Sequence, residues 1–105
     1  MSDASLSIAD NGCLMLGGIL DHRCGDFILK RWSELLKKLP LGELVIDCEA
    51  VSRSSSVGLA LLLTFIRDAR QSGRGICIRN LPDDMQKIAQ VSQLLDILPL
   101  CTERS

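Results

Sequence analysis

Hydrophobic and polar residues change their spacing several times along this chain, and each change marks an element. Leu6 and Ile8 alternate with polar neighbours, as in a short half-exposed strand. Asp10-Asn11-Gly12 follows, and Asn-Gly tolerates the positive φ angles of a tight hairpin turn. Cys13 to Leu16 reads as the return strand, ended or bulged by Gly17-Gly18. After a polar connection, Asp26 to Leu39 takes up helical spacing. Ile28, Trp32, Leu35, Leu36 and Leu39 form one stripe, opposite Lys30, Arg31, Glu34, Lys37 and Lys38. Pro40 and Gly42 stop that helix. Glu43 to Cys48 is a strand whose continuous Leu44-Val45-Ile46 run predicts burial on both faces, with helices above and below. Ser52 to Ser56 reads as a polar turn, and Val57 to Ser72 as a helix with Gly73 just beyond its end. Arg74 to Asn80 is a further strand. Pro82 then suits the first position of a last helix, with Asp83 and Asp84 at its positive end and an apolar stripe from Met85, Ile88, Ala89 and Leu95. Pro99 ends the order, and the tail to Ser105 is expected to fray. The order β-β-α-β-α-β-α predicts an α/β domain with a mixed sheet and right-handed crossovers.

The length of 105 residues suits one domain spanning residues 1–105, with a structured core at about residues 5–98. Twelve basic residues against thirteen acidic ones give a net charge of -1, without the basic excess of a nucleic-acid binder. Phe27, Trp32 and Phe65 are the only aromatics, too few for base stacking. The first ten residues lack the basic and apolar segments of a secretory signal. The longest apolar stretch, Val57 to Ile66, is about half of a membrane span. A soluble, intracellular protein is expected. The cysteines, five in number and without a CxxC pair, are expected to remain reduced and to bind no metal. Cys13, His22 and Cys24 lack the spacing of a zinc site. One loop histidine and scattered acids offer no catalytic constellation, so neither an enzyme nor a cofactor is expected.

Arg53-Ser54-Ser55-Ser56-Val57-Gly58 is the most distinctive segment. It joins the carboxyl end of a strand to a helix, where ligands and partners of α/β sheets bind. One serine suffices as a helix N-cap, and Ser56 is the expected one; there are three. A phosphate-binding GxxxxGK[ST] pattern is absent. Along the helix, Leu59, Leu62, Leu63 and Ile66 form a core stripe, while Val57, Leu61 and, to one side, Phe65 lie on the opposite face with Thr64 and Asp68. That second stripe is either covered by another helix of the domain or a partner surface.

Leu44-Val45-Ile46-Asp47-Cys48, followed by Ser55-Ser56-Val57-Gly58-Leu59-Ala60-Leu61-Leu62, resembles the signature of STAS domains, the anti-sigma-factor-antagonist-like modules. Leu14 to Asp21 is similar to the second strand of that family and its following loop. The resemblance implies the STAS fold, a small mixed sheet with βαβ units and helices packed against it. Within the family, the Gly58 to Leu63 helix start is similar to the small cytoplasmic subunit of Mla phospholipid-transport ABC systems. That likeness implies a non-enzymatic regulatory or assembly subunit. It would bind the ATPase subunit of a transporter that maintains outer-membrane lipid asymmetry, peripheral to the inner membrane through that partner. Arg53, Ser54, Ser55, Ser56, Val57, Leu61, Asp83 and Met85 would make the contact. An anti-sigma-factor antagonist or another partner-switching module is the alternative, and a small nucleotide- or lipid-binding protein a third. The antagonists carry a phosphorylated serine at the position of Val57 and an aspartate at that of Ser55. In the Mla-like branch Ser56 matches an interface threonine, Ser55 replaces an aspartate and Val57 a glycine.

Overall fold

The computed structural model describes residues 4–39 and 41–101. They form β1 (Ser5–Ile8), β2 (Leu14–Leu20), α1 (Gly25–Lys38), β3 (Glu43–Ser54), α2 (Ser56–Gln71), β4 (Gly75–Arg79) and α3 (Asp83–Val91), then a 3-10 turn at Leu95–Ile97. The strands make a four-stranded sheet in the order β1-β2-β3-β4. β1 runs antiparallel to β2, and the other pairs are parallel. Gly12 supplies the turn between β1 and β2 with a φ of +88°, and Asn11 Oδ1 accepts the Cys13 amide at 3.0 Å.

Strand order never reverses from β2 to β4, so two right-handed crossovers place α1 and α2 on one face of the sheet. There α2 packs between α1 and α3. This corrects the expectation of helices above and below β3. Leu44, Ile46 and Cys48 point into the helices and are buried, whereas Glu43 and Glu49 on the other face are exposed and Val45 is half-buried. Val45 on that face pairs with Cys77, which is also half-buried.

Leu14, Leu16, Ile46, Ile78, Leu62 and Phe65 occupy the middle of the core. Trp32 of α1 stacks on Phe65 of α2 at 4.5 Å between ring centres, and its Nε1 donates to Asp68 Oδ2 at 3.0 Å. That bond satisfies the single polar atom of a buried indole. Arg74 donates to the carbonyls of Leu36 and Leu39, at 3.2 and 2.7 Å, and so caps the end of α1 from beyond α2.

β3 runs past the predicted Cys48 to Ser54, because Ala50 to Ser54 pair with Gly17 to Leu20 across a register shift. The extra residues lie in β3, which advances from Asp47 to Ala50 while β2 advances from Met15 to Gly17, so Gly17-Gly18 neither end nor bulge β2. Order also continues beyond Pro99. The Ile78 amide donates to Pro99 O and the Cys101 amide to Ile78 O, both at 2.8 Å, and Cys77 is disulfide-bonded to Cys101. The expectation of five free thiols is corrected accordingly. Cys77 lies on the helix-free face of β4, where a returning segment reaches it, while Cys13, Cys24 and Cys48 are buried and free. Pro40, read as a helix stop, and Thr102 to Ser105, read as a frayed tail, lie outside the described residues. Among the described residues no helix is long and apolar enough to cross a membrane.

Candidate partner-binding site at the start of α2

Three segments meet at the carboxyl edge of the parallel strands: the turn after β2, the first turn of α2 and the connection from β4 to α3. Ser55 holds the first two together. Its amide and its Oγ both donate to the Leu20 carbonyl, at 2.9 and 3.3 Å, and its Oγ accepts the Val57 amide at 3.2 Å. Ser55 is thus the N-cap of α2, a correction of the expected Ser56. β3 runs to Ser54 and α2 begins at Ser56, with no turn between them, so the cap falls at the one residue that joins them, Ser55. Ser56 is freed from capping, and it stands exposed as the first residue of the helix.

Ser54 is half-buried and its Oγ donates to the Ser55 carbonyl at 2.8 Å. Arg53 is exposed and pairs with Ile19 in the sheet. Val57 is half-buried. Gly58 permits the close approach of α2 to the sheet. A Cβ there would clash with Ser54 Oγ and stand 3.0 Å from Leu20 Cδ1 and 3.2 Å from Met85 Cε.

Two predicted contact residues lie beneath this surface. Leu61 is 4% exposed and Met85 is 0% exposed. Leu61 stands one turn before Phe65, on the flank of α2 that meets Trp32 of α1. Leu61 is therefore internal core and so is Met85, a correction for both as contact residues, while Val57 of the same stripe stays half-buried. The outward face of α2 is made instead by Ser56, Ala60 and Arg67, flanked by half-buried Val57, Leu63 and Thr64. Ala60 was missed because an alanine marks neither a core nor a surface position.

Asp83 is exposed in the first turn of α3, whose N-cap Pro82 brings no side-chain bond. The carboxylates of Asp83 and Asp84 complement the helix dipole there. A buried carboxylate sets this segment: Asp47 is 4% exposed. It accepts from the Glu49 amide at 2.9 Å, Asn80 Nδ2 at 3.1 Å and the Arg79 guanidinium at 3.2 Å. Burial pushes the Asp47 carboxyl up, but those three donors together outweigh it and hold the group below its ordinary value. Asn80 takes the left-handed conformation, φ +58°, that turns the chain into α3. On the other side, the Arg23 side chain and amide grip Asp21 and hold its carboxyl down at about 2. His22 is exposed in that turn. Neither Asp47 nor the Leu20 carbonyl could be assigned from pattern, since their roles come from contacts distant in sequence.

The site presents hydroxyls, the Arg53 guanidinium, the Asp83 and Asp84 carboxylates and a small apolar area around a helix start. Such a surface suits protein contact, with directional hydrogen bonds around a modest apolar centre. Among the described residues no three His, Cys, Asp or Glu side chains gather as metal ligands would.

Known proteins match this arrangement over nearly the whole chain. The STAS domain pattern matches residues 6–104. The intermembrane phospholipid transport system binding protein MlaB of Escherichia coli K12 is 32% identical over 100 residues, covering 94% of this chain and 99% of that protein. MlaB of Shigella flexneri matches to the same extent. Among solved structures, the unphosphorylated anti-sigma factor antagonist SpoIIAA superposes with a TM-score of 0.69 at 20% identity, covering 95% of this chain and 89% of its own. An anti-sigma factor antagonist from Mycobacterium paratuberculosis gives 0.68 at 20% identity, over 96% and 86%. The fold is that of these antagonists, and the chain belongs to the STAS domain family.

Proposed function

We propose that this protein is a non-enzymatic subunit of a phospholipid-transporting ABC system that maintains outer-membrane lipid asymmetry. In this reading it docks on the ATPase subunit at the cytoplasmic face of the inner membrane. The observation that carries the reading is the near full-length similarity to a binding protein of an intermembrane phospholipid transport system. The docking surface consists of Arg53, Ser54, Ser55, Ser56 and Val57, with Ala60 along α2 and Asp83 on α3. Ser56 is its centre, because its hydroxyl is exposed and Ser55 already performs the capping. Leu61 and Met85 act from below, fixing the height of the helix start above the sheet. The likeness to anti-sigma factor antagonists lies in the fold, and Val57 has no hydroxyl to receive the phosphate of a partner-switching module.

Affinity capture of the ATPase subunit from the same organism tests the reading. Wild type should retain it, and Ser56→Glu should lose it while melting like wild type, since a charge is then forced into a desolvated contact. Capture of the ATPase subunit by Ser56→Glu at wild-type level would overturn the site. No capture by wild type, in the presence of the assembled transporter, would overturn the function.

A further inference from the structure

β4 is an edge strand, and the segment 99–101 covers part of its free side. Both backbone groups of Ile78 point outward. Its amide donates to Pro99 O and its carbonyl accepts from Cys101 N. Leu100 thereby extends the sheet as a one-residue parallel bridge. The two hydrogen bonds that make this bridge are a weak hold for a returning segment. The Cys77–Cys101 bond, across a Cα separation of 4.9 Å, is the covalent part of that hold. Cys77 and Cys101 are both half-buried, so this pair is not sealed in the core. The remaining thiols are buried in the core, and burial pushes the Cys48 thiol up to about 12. A thiol so rarely ionised does not compete in exchange.

We propose that Cys77 and Cys101 form a reversible thiol–disulfide site, exchanging with small-molecule thiols and disulfides, that latches the 99–101 segment onto the edge of β4. Oxidation runs in two steps. The thiolate of one cysteine attacks a small-molecule disulfide, forms a mixed disulfide and releases one small thiolate. The second cysteine thiolate attacks the protein sulfur of that mixed bond, forms Cys77–Cys101 and releases the other. Two protein thiols lose two electrons and two protons, and one small disulfide becomes two thiols. Reduction is the reverse. Opening removes Leu100 and Cys101 from the wall of a cavity of about 440 Å³ that also holds Arg79, Gln86 and Leu95. It also uncovers the Ile78 amide and carbonyl, an unpaired edge able to accept another extended segment. This inference does not depend on docking to an ATPase.

The test uses the full chain equilibrated in oxidised or reduced glutathione. Oxidised protein should weigh two hydrogens less, label at three cysteines after unfolding without reductant, and yield a Cys77–Cys101 peptide. Reduced glutathione should restore five labels. It should also speed hydrogen exchange at the Ile78 and Cys101 amides at least about tenfold, with the Ile46 region unchanged. Cys101→Ser should show the fast exchange in both buffers. Five free thiols in oxidised glutathione, a different pairing, or Ile78 protection equal in the two states would each overturn the proposal.

Discussion

The Leu20 carbonyl accepts both the amide and the hydroxyl of Ser55, so one serine welds the end of β2 to the start of α2. Ser55→Ala removes the Oγ acceptor of the Val57 amide as well as one of those bonds. It should cost about 1–2 kcal/mol of stability, whereas Ser56→Ala should stay within about 0.5 kcal/mol of wild type. Urea unfolding midpoints of the two variants check this. Equal losses would place the cap at neither residue alone.

Leu61 belongs to the core, and its substitution should report that. The buried arc of α2 runs from Leu61 through Leu62 to Leu59, about 160° at 100° per residue. Leu61→Ala should destabilise by about 2–4 kcal/mol, as truncation of a packed leucine does. Leu61→Asp should be as unfolded by circular dichroism as Leu62→Asp. A Leu61→Asp protein that melts like wild type would return this residue to the surface.

Most of the helices and strands show in their period, because Ile28, Trp32 and Leu35 or Ile76 and Ile78 recur at the spacing their burial demands. Where the sequence misled, a neighbour decided. α2 lies between two helices, so its apolar arc is too wide for a single core stripe, and Leu61 looked outward. Residues 49–54 are mostly polar because only one face of β3 is covered, and its last residues, 52–54, read as part of a turn. The serine loop stands out in the sequence as a candidate site, since three hydroxyls exceed what one cap requires. Which serine caps depended on where β3 ends. The Cys77–Cys101 bond spans 24 positions and follows from the return of the chain to β4, which no local spacing encodes.

Acid should unlock the β4–α3 connection through Asp47. Its native carboxyl titrates below the ordinary value of about 3.9 that holds in the unfolded chain. A lowered native value adds stability that is fully present above the unfolded value and is lost as pH falls through the native one. The Asp21–Arg23 pair works in the same direction at the surface, screened by solvent. Asp47→Asn should lose about 1–3 kcal/mol at pH 7, because the Arg79 and Asn80 donors lose their charged acceptor. Its melting temperature should also fall less than that of wild type between pH 5 and pH 3. Parallel curves for the two proteins would mean that Asp47 is not the linked group.

Gly58 sets how closely the start of α2 approaches the sheet, and an alanine there tests whether that closeness matters. Glycine inside a helix costs roughly 1 kcal/mol relative to alanine, so propensity alone favours the substitution. The added Cβ would clash with Ser54 Oγ and press on Leu20 Cδ1 and Met85 Cε, and overpacking of this kind costs about 1–3 kcal/mol. Packing should win, because Leu20 and Met85 are fully buried and have no room to withdraw. Gly58→Ala should therefore be destabilised by about 1 kcal/mol, less than a large cavity but opposite in sign to the propensity gain. Adding Ser54→Ala removes the nearest atom, at the expense of one exposed bond to the Ser55 carbonyl. The double variant should be more stable than Gly58→Ala, a coupling that a double-mutant cycle in urea measures directly. Strict additivity of the two changes would show that α2 already stands clear of Ser54. The first turn of the helix, with Ser56 on it, would then not be held by this contact.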